Sequence, residues 1–164
     1  MTRMRAPFLA AGLAALLAVG SSAPASGLTA ERRWRSPVSP LKVERPFDPP
    51  AQDWLPGHRG VDLAAHVGQE VRAAGGGRVT FAAELAGRGV VVVDHGAVRT
   101  TYQPVEATVA VGERVRTGEP IGVIALGSGH CGSGGCLHLG LRRGETYLNP
   151  LLILVGGIAL LRPL

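Results

Sequence analysis

Short apolar runs separated by glycine-rich turns make up most of the chain from about residue 54 onward. Gly77 to Glu84 alternates loosely between apolar and polar positions, and Val90 to Val93 is an unbroken β-branched stretch. Loose alternation predicts a half-buried strand, and a continuous β-branched run is suited to a buried one. A turn at residues 95–96 follows, so Arg99 to Tyr102 is predicted to pair back as the second strand of a hairpin.

Two more strands are predicted later in the chain, at Ile121 to Leu126 and at Leu137 to Arg142, with a glycine-rich loop between them. The segments that begin at Val67 and at Val111 resemble each other, because each has a Val-Gly turn, a short strand and a further glycine. No segment keeps helical periodicity for the roughly ten residues that a helix prediction needs. The pattern therefore predicts an all-β fold, a small antiparallel β-sandwich-like domain with short strands.

The N-terminal region has the pattern of a targeting segment. Arg3 and Arg5 precede an apolar run, and small residues then lead to Ala25. A charged start, a short apolar stretch and a small-residue cleavage site predict a signal peptide over residues 1–25, with a retained signal anchor as the alternative. We therefore expect the mature protein to be secreted and to act in the extracellular cell envelope.

The Pro- and Arg-rich stretch over residues 26–50 predicts an extended lead-in that lies across the domain through Trp34 and Phe47. Residues 51–164 are predicted to form the folded domain. A second apolar run, residues 151–161, is eleven residues long, whereas a spanning helix needs about 20. We interpret it as part of the core and expect no transmembrane span in the mature chain.

The net charge of +5 comes almost wholly from arginine, since Lys42 is the only lysine. The arginines are scattered along the chain, and only 4% of the residues are aromatic. A nucleic-acid partner would favour a basic patch interleaved with aromatic side chains, so no such partner is expected. An anionic polymer of the cell envelope fits this charge better.

The two cysteines, Cys131 and Cys136, enclose the tetrapeptide Gly-Ser-Gly-Gly. Export would permit a disulfide between them, and the glycines let so short a loop close. The alternatives are free thiols, or a Cys136 thiolate that binds a metal ion.

Candidate chemistry begins with His58 and Asp62, which stand in a glycine-rich segment. In an extended strand the two positions would be roughly 13 Å apart at about 3.3 Å per residue, yet the ligands of one zinc ion lie about 2 Å from it. The chain would have to curl between them, and Gly57 and Gly60 are where it can. On its own this spacing is a weak signal for a metal.

A second candidate lies on the last predicted strand. Cys136 and His138 point to one face of it, and Leu137 and Leu139 point to the other, into the core. A polar residue beside His138 on one face is what the wall of a binding site would show. A histidine that is buried and hydrogen-bonded within the sheet would give the same pattern.

The order of the motifs is more specific than any one of them. The glycine-flanked His-x₃-Asp is followed by Gly-Arg-Val-Thr, by Gly-Val-Val-Val-Val-Asp-His-Gly, by Thr-Tyr, by a Val-Gly-x-x-Val segment, by x-Leu-His-Leu and finally by Asn-Pro. From about Pro46 to Pro150 this succession resembles the lysostaphin-like, or LytM-type, zinc endopeptidases. The resemblance implies that residues 51–164 are a LytM-type peptidase-like domain.

By the same resemblance, His58, Asp62 and His138 fall on the three zinc ligands of the family, so one Zn²⁺ is expected. Three protein ligands and a water are typical of a catalytic zinc. The implied activity is that of a secreted metalloendopeptidase that acts on peptidoglycan or another cell-wall peptide. His95 is expected to be structural and His66 to be exposed.

Two histidines that assist catalysis in the family are replaced in this chain, one by Cys136 and the other by Pro104. His130, in the glycine-rich loop, is the candidate for the catalytic proton-transfer role in their place. The alternative function is a catalytically weakened or inactive zinc-binding module that binds the cell wall or regulates a partner wall hydrolase. In that interpretation Tyr102 contacts the ligand.

Overall fold

The residues that the computed structural model describes are 34–52, 54–126 and 135–155. The chain divides into two units, Met1–Ala30 and Glu31–Leu164, and every described residue belongs to the second. The predicted signal peptide lies outside the described residues, and so do His130 and Cys131. Within the described residues, no helix combines the length and the apolar character that a membrane span requires.

Two antiparallel sheets make up the described part of the domain. The strands of the larger sheet are β1 (Val43–Arg45), β2 (Gly60–Ala64), β4 (Gly77–Leu85), β5 (Arg88–Asp94), β6 (Arg99–Gln103), β8 (Arg114–Val115), β10 (Cys136–Arg143) and β11 (Thr146–Leu148). They follow the order β1-β2-β10-β6-β5-β4-β8, with β11 paired to β10. The smaller sheet has the order β3-β9-β7, formed by β3 (Glu70–Arg72), β9 (Pro120–Ile124) and β7 (Val105–Ala107). A short helix, α1 (Leu151–Leu154), follows β11.

The hairpin predicted around residues 95–96 is confirmed. β5 and β6 pair antiparallel with Val93 opposite Thr100, and β4 pairs with the other edge of β5. Val91 and Val93 are 0% exposed, as expected for β-branched side chains in a central strand.

The strand predicted to end at Leu126 ends instead at Ile124, and Leu126 is 88% exposed. The register explains the difference. Ile124 pairs with Val105, the first residue of β7, so the smaller sheet has no partner strand for residues beyond it. The residue that a longer strand would need, Gln103, already belongs to β6 in the other sheet.

The two similar segments of the sequence form equivalent turns. In one turn, Gln69 N–H donates to His66 O at 2.9 Å and Gln69 Oε1 accepts from His66 N–H at 3.0 Å. In the other, Glu113 N–H donates to Ala110 O at 3.1 Å and Glu113 Oε2 accepts from Ala110 N–H at 2.9 Å. The first turn leads into β3 and the second into β8, which lie in different sheets. The repeat in the sequence is therefore a repeated strand–turn unit.

Apolar side chains of both sheets join one buried cluster. Leu137 and Leu139 of β10 are 0% exposed, as the alternation of that strand predicts. Val71, Ile121 and Ile124 of the smaller sheet belong to the same cluster. Removal of this apolar surface from water is the main force that holds the sheets together. The two sheets and their shared core confirm the predicted all-β, sandwich-like fold.

The described part of the lead-in, residues 34–50, packs against the domain. Trp34 is 7% exposed and forms a β-bridge with Gly75, and Phe47 packs against the core. A Cβ atom on Gly75 would lie 2.5 Å from the Trp34 ring, so glycine is what allows the indole to pack this closely. β1 then adds the lead-in to the larger sheet by pairing with β2.

A chain of hydrogen bonds runs through the interior from His95 to Ala74. His95 Nε2 lies 2.8 Å from Thr100 Oγ1, and the Thr100 and Tyr102 hydroxyls are 2.9 Å apart. The Tyr102 hydroxyl accepts from Ala74 N–H at 2.8 Å. The second His95 nitrogen, Nδ1, lies 2.9 Å from Gly76 O. Both ring nitrogens thus hold the fold together, which supports the structural role expected for His95.

Tyr102 cannot contact a ligand, so that prediction is wrong. It is 0% exposed, and burial raises its pKa to about 12. The side chains of β6 alternate, with Thr100 and Tyr102 buried and Arg99, Thr101 and Gln103 partly exposed on the other face. The outer face of β6 is therefore formed by Arg99, Thr101 and Gln103, and Tyr102 lies on the buried face.

We expect Tyr102→Phe to lower the free energy of unfolding by roughly 1–3 kcal/mol, because it leaves the buried Ala74 N–H without an acceptor. Equilibrium denaturation in urea measures the change. Tyr147→Phe is the matched control, since Tyr147 is the other tyrosine of the chain and is only partly buried. Equal stability of the two variants would contradict the role of the buried hydroxyl.

Candidate metal centre

Three side chains converge on one point at the outer face of the larger sheet. His58 Nε2 lies 3.0 Å from Asp62 Oδ1, and His138 Nδ1 lies 2.8 Å from the same oxygen. The two ring nitrogens are 3.1 Å apart. In the described residues this is the group of His, Cys, Asp and Glu side chains whose geometry could hold a metal ion.

Strand register places two of the three groups. Asp62 on β2 is directly opposite His138 on β10, and directly opposed side chains of an antiparallel pair share one face. Their neighbours Leu63 and Leu137 are also opposite each other and are 0% exposed. The same pairing therefore sends the leucines into the core and the ligand candidates to the outer face.

His58 reaches the cluster because the chain bends before β2 begins. It forms an isolated β-bridge with Asp48, in which His58 N–H donates to Asp48 O at 2.6 Å and Asp48 N–H donates back at 3.0 Å. β2 starts only at Gly60. The curl expected between His58 and Asp62 is thus present, and the lead-in fixes its starting point.

A backbone carbonyl sets the tautomer of His58. Its Nδ1 lies 2.6 Å from Pro46 O, and because a carbonyl oxygen can only accept, Nδ1 carries the proton. In the neutral ring Nε2 then presents its lone pair to Asp62 and His138. Metal-binding histidines usually donate their second ring N–H in this way, which orients the ring and raises its basicity.

Gly60 is needed for clearance rather than for an unusual backbone conformation. A Cβ atom there would lie 2.6 Å from His138 Nε2 and would also meet the Leu139 carbonyl. The glycine predicted to let the chain curl therefore has a second and more direct role. It leaves room for the His138 ring.

The charge balance of the cluster fits a bound cation. Burial of Asp62 would raise its pKa, but the hydrogen bond from His138 and the charges of both histidines outweigh it, so the net shift of the pKa is downward. When the His58 ring is neutral, the ionised Asp62 carboxylate faces the Nε2 lone pair of His58 at 3.0 Å. These two groups repel unless a proton or a metal ion lies between them. Two imidazole nitrogens and one carboxylate oxygen are a donor set that zinc accepts.

Other sequence candidates are not brought into the cluster. Cys136 is 1% exposed and is not part of the metal-binding group of the described residues, so its assignment as a fourth ligand is not supported. The predicted Cys131–Cys136 disulfide involves a residue outside the described ones and stays a prediction. His130 also lies outside them. His66 is exposed, as expected.

Sequence reasoning missed the groove beside the cluster. A cavity of about 570 Å³ is lined by His138 together with outer-face residues of β6, including Gln103 and Thr101. Gln103 is the register partner of His138 on the side away from Asp62. Arg99, Thr101 and Gln103 are polar, but so are Thr100 and Tyr102 between them, so the sequence did not show which face of this strand is exposed.

The chain is similar to a family profile and to several known proteins. The sequence profile of peptidase family M23 matches residues 56–150. An uncharacterized protein of Mycobacterium tuberculosis is 45% identical over 130 residues, which are 76% of this chain and 52% of that protein. The chain thus spans about half the length of the curated relatives that it matches.

Two solved structures share the fold. Helicobacter pylori Csd3 has a TM-score of 0.61 and 28% identity, over 74% of this chain and 34% of Csd3. A zinc-containing peptidase of Vibrio cholerae has a TM-score of 0.57 and 23% identity, over 72% of this chain and 39% of that one.

We expect the purified mature protein to contain one equivalent of zinc, because three ligand atoms already converge. His58→Ala and His138→Ala should each abolish tight binding, whereas His66→Ala, at an exposed histidine outside the cluster, should leave it unchanged. Elemental analysis after dialysis measures the metal. A protein that holds no zinc after refolding with the metal would contradict the site.

We expect Gly60→Ala to weaken zinc binding by roughly 10–100-fold, the usual effect of disturbing the surroundings of a metal ligand. The new methyl group would displace the His138 ring. Gly140→Ala is the matched control, because Gly140 pairs with Gly60 but a Cβ there would be 3.5 Å from its nearest neighbour, an ordinary contact. Competition with a chromogenic chelator measures both affinities, and equal affinities would refute the clearance argument.

Proposed function

The chain belongs to peptidase family M23, and we propose that it is a secreted zinc metalloendopeptidase that cleaves peptide bonds in peptidoglycan. The observation that carries the proposal is the convergence of His58, Asp62 and His138 at the wall of an open groove. A buried structural metal would have no such access. His138 is 14% exposed toward the groove while the other two are closed off.

His58 Nε2, His138 Nδ1 and an Asp62 carboxylate oxygen would hold the zinc ion. When bound, the ion would supply Lewis-acid activation of a peptide carbonyl and of water. The surrounding protein groups orient the three ligands and maintain their charge. Pro46 O orients the first imidazole, the β2–β10 register orients the second, and the fully buried Asp62 keeps its charge beside them.

Outer-face side chains of β6 and β10 would bind the substrate peptide. Gln103 offers an amide donor and acceptor next to His138, and Thr101 lies one row further along the groove. A row of this kind can hydrogen-bond the backbone of an extended peptide and hold its carbonyl near the metal ligands. The groove residues of β4 and β5 are mainly apolar and would shield part of the bound peptide from bulk water.

Proton transfer needs a group that the described cluster does not supply. The two positions at which the family has assisting histidines are Cys136, which is 1% exposed, and Pro104, which has no ionisable side chain. We propose that His130, in the loop before β10, takes this role. We also propose the Cys131–Cys136 disulfide as the link that holds this loop to the start of β10.

The second candidate function is a zinc-binding module that binds the cell wall or regulates a partner wall hydrolase without efficient cleavage. The observation that favours it is the same replacement of both assisting histidines. Loss of a positioned acid or base typically costs 10²–10⁴-fold in rate. The groove and the metal ligands would then serve recognition alone.

We expect the zinc-loaded protein to release soluble peptide fragments from purified peptidoglycan and a chelator to abolish this release. His130→Ala should lower turnover by about 10²-fold while zinc content stays unchanged, and His66→Ala is the control. Release is followed by mass spectrometry of the supernatant. A protein that binds zinc and sediments with the wall but releases nothing would favour the second function.

A further inference from the structure

The groove beside the metal ligands becomes basic at its far end. Arg99 on β6 is directly opposite Arg142 on β10, and both line the groove that also contains His138. Arg59 lines it as well. None of the described residues that line this groove carries a carboxylate. Opposed like charges on neighbouring strands are unfavourable, so this arrangement is one that an anionic ligand would stabilise.

Contacts within the described residues leave some N–H donors of Arg99 and Arg142 without an acceptor. Arg142 pairs through Nη2 with Glu145, whose side chain is 89% exposed at the rim. Its Nε is buried and has no hydrogen-bond partner among the described residues. Arg99 makes no ion pair with a described residue, and its other register partner, Asp94, accepts a hydrogen bond from Gly96 N–H.

The guanidinium groups of Arg142 and Arg59 both lie over the ring of Tyr147. The Arg142 guanidinium carbon is 4.9 Å from the centroid of the Tyr147 ring, and that of Arg59 is 5.7 Å from it. Stacking on an aromatic ring holds the planar group while its edge remains able to donate. A carboxylate that accepts two parallel N–H bonds from such an edge makes one of the stronger hydrogen-bonded pairs in proteins.

The distance along the strands between the arginines and His138 determines where a bound peptide would need its negative charge. The row of Arg99 and Arg142 is four residues from the row of Gln103 and His138, which corresponds to roughly 13 Å at about 3.3 Å per residue. An extended peptide spans this distance with about four residues. Because arginine side chains are long and can reach along the groove, fewer than about four peptide residues can be enough.

We propose that the groove binds a peptide with a carboxylate side chain two to four residues, at about 3.3 Å each, from the bond beside the metal ligands, and that Arg99 and Arg142 bind this carboxylate. The proposal rests on the proposed function for the position of the scissile bond. It names the substrate class as acidic peptides, in preference to neutral ones such as glycine-rich segments. The scattered positive charge of the whole chain would not give this positional preference.

The test uses acetylated, amidated alanine pentapeptides that carry one Glu at each position in turn, and a matched set with Gln. Binding to the zinc-loaded protein is measured by titration calorimetry, and any peptide that is cut is compared by kcat/KM. We expect the best Glu peptide to be favoured over its Gln counterpart by about tenfold, with an advantage that falls as salt is raised. Arg99→Gln and Arg142→Gln should each remove most of it.

Arg116→Gln is the control for net charge, because Arg116 is exposed and does not line the groove. It should keep the preference for Glu. Equal handling of the Glu and Gln sets, failure of both sets to bind, or a preference that survives both groove substitutions would overturn the proposal. A preference for Glu in a protein that cuts neither peptide nor wall would refute the peptidase function and leave the acidic-peptide site standing.

Discussion

The antiparallel register between β2 and β10 is the constraint on which the site depends. It sets Asp62 opposite His138 on the outer face and Leu63 opposite Leu137 in the core. A slip of β10 by one residue against β2 would turn His138 into the core and Leu137 out to solvent. Burial of the leucines therefore enforces the geometry of the metal ligands. Function here is held in place by the hydrophobic core rather than by interactions within the site.

The third ligand candidate depends on a different part of the chain. His58 is bound through its backbone to Asp48 and through its ring to the Pro46 carbonyl. Both contacts come from the lead-in, which precedes the region matched by the family profile, residues 56–150. The segment predicted as an extended lead-in thus also positions His58. The contacts are made by backbone atoms, so residues of other types at these positions could make them as well.

Much of the fold could be predicted from the sequence, because alternation and turn residues mark the strands directly. The faces of β10 follow from its leucines, whereas β6 has no aliphatic residue to mark a face. Tyr102 was consequently assigned to ligand contact although its hydroxyl closes a buried hydrogen-bond chain. The three ligand candidates were found from the order of motifs, since their sequence spacing of 4 and 76 residues carries no geometric information. The contact with Pro46 O could not be predicted, because every residue has a backbone carbonyl and the sequence does not show which one a histidine contacts.

The chemistry proposed for this protein requires that His58 Nε2, Asp62 and His138 Nδ1 bind a single cation. A crystal structure of the zinc-loaded protein, with the metal located by anomalous scattering, tests it most directly. The expected result is one zinc ion with two nitrogen ligands and a carboxylate oxygen at about 2.0–2.2 Å, reached with the sheet register unchanged. A zinc–sulfur bond of about 2.3 Å to Cys136, or a metal bound away from the opposed pair of Asp62 and His138, would contradict it.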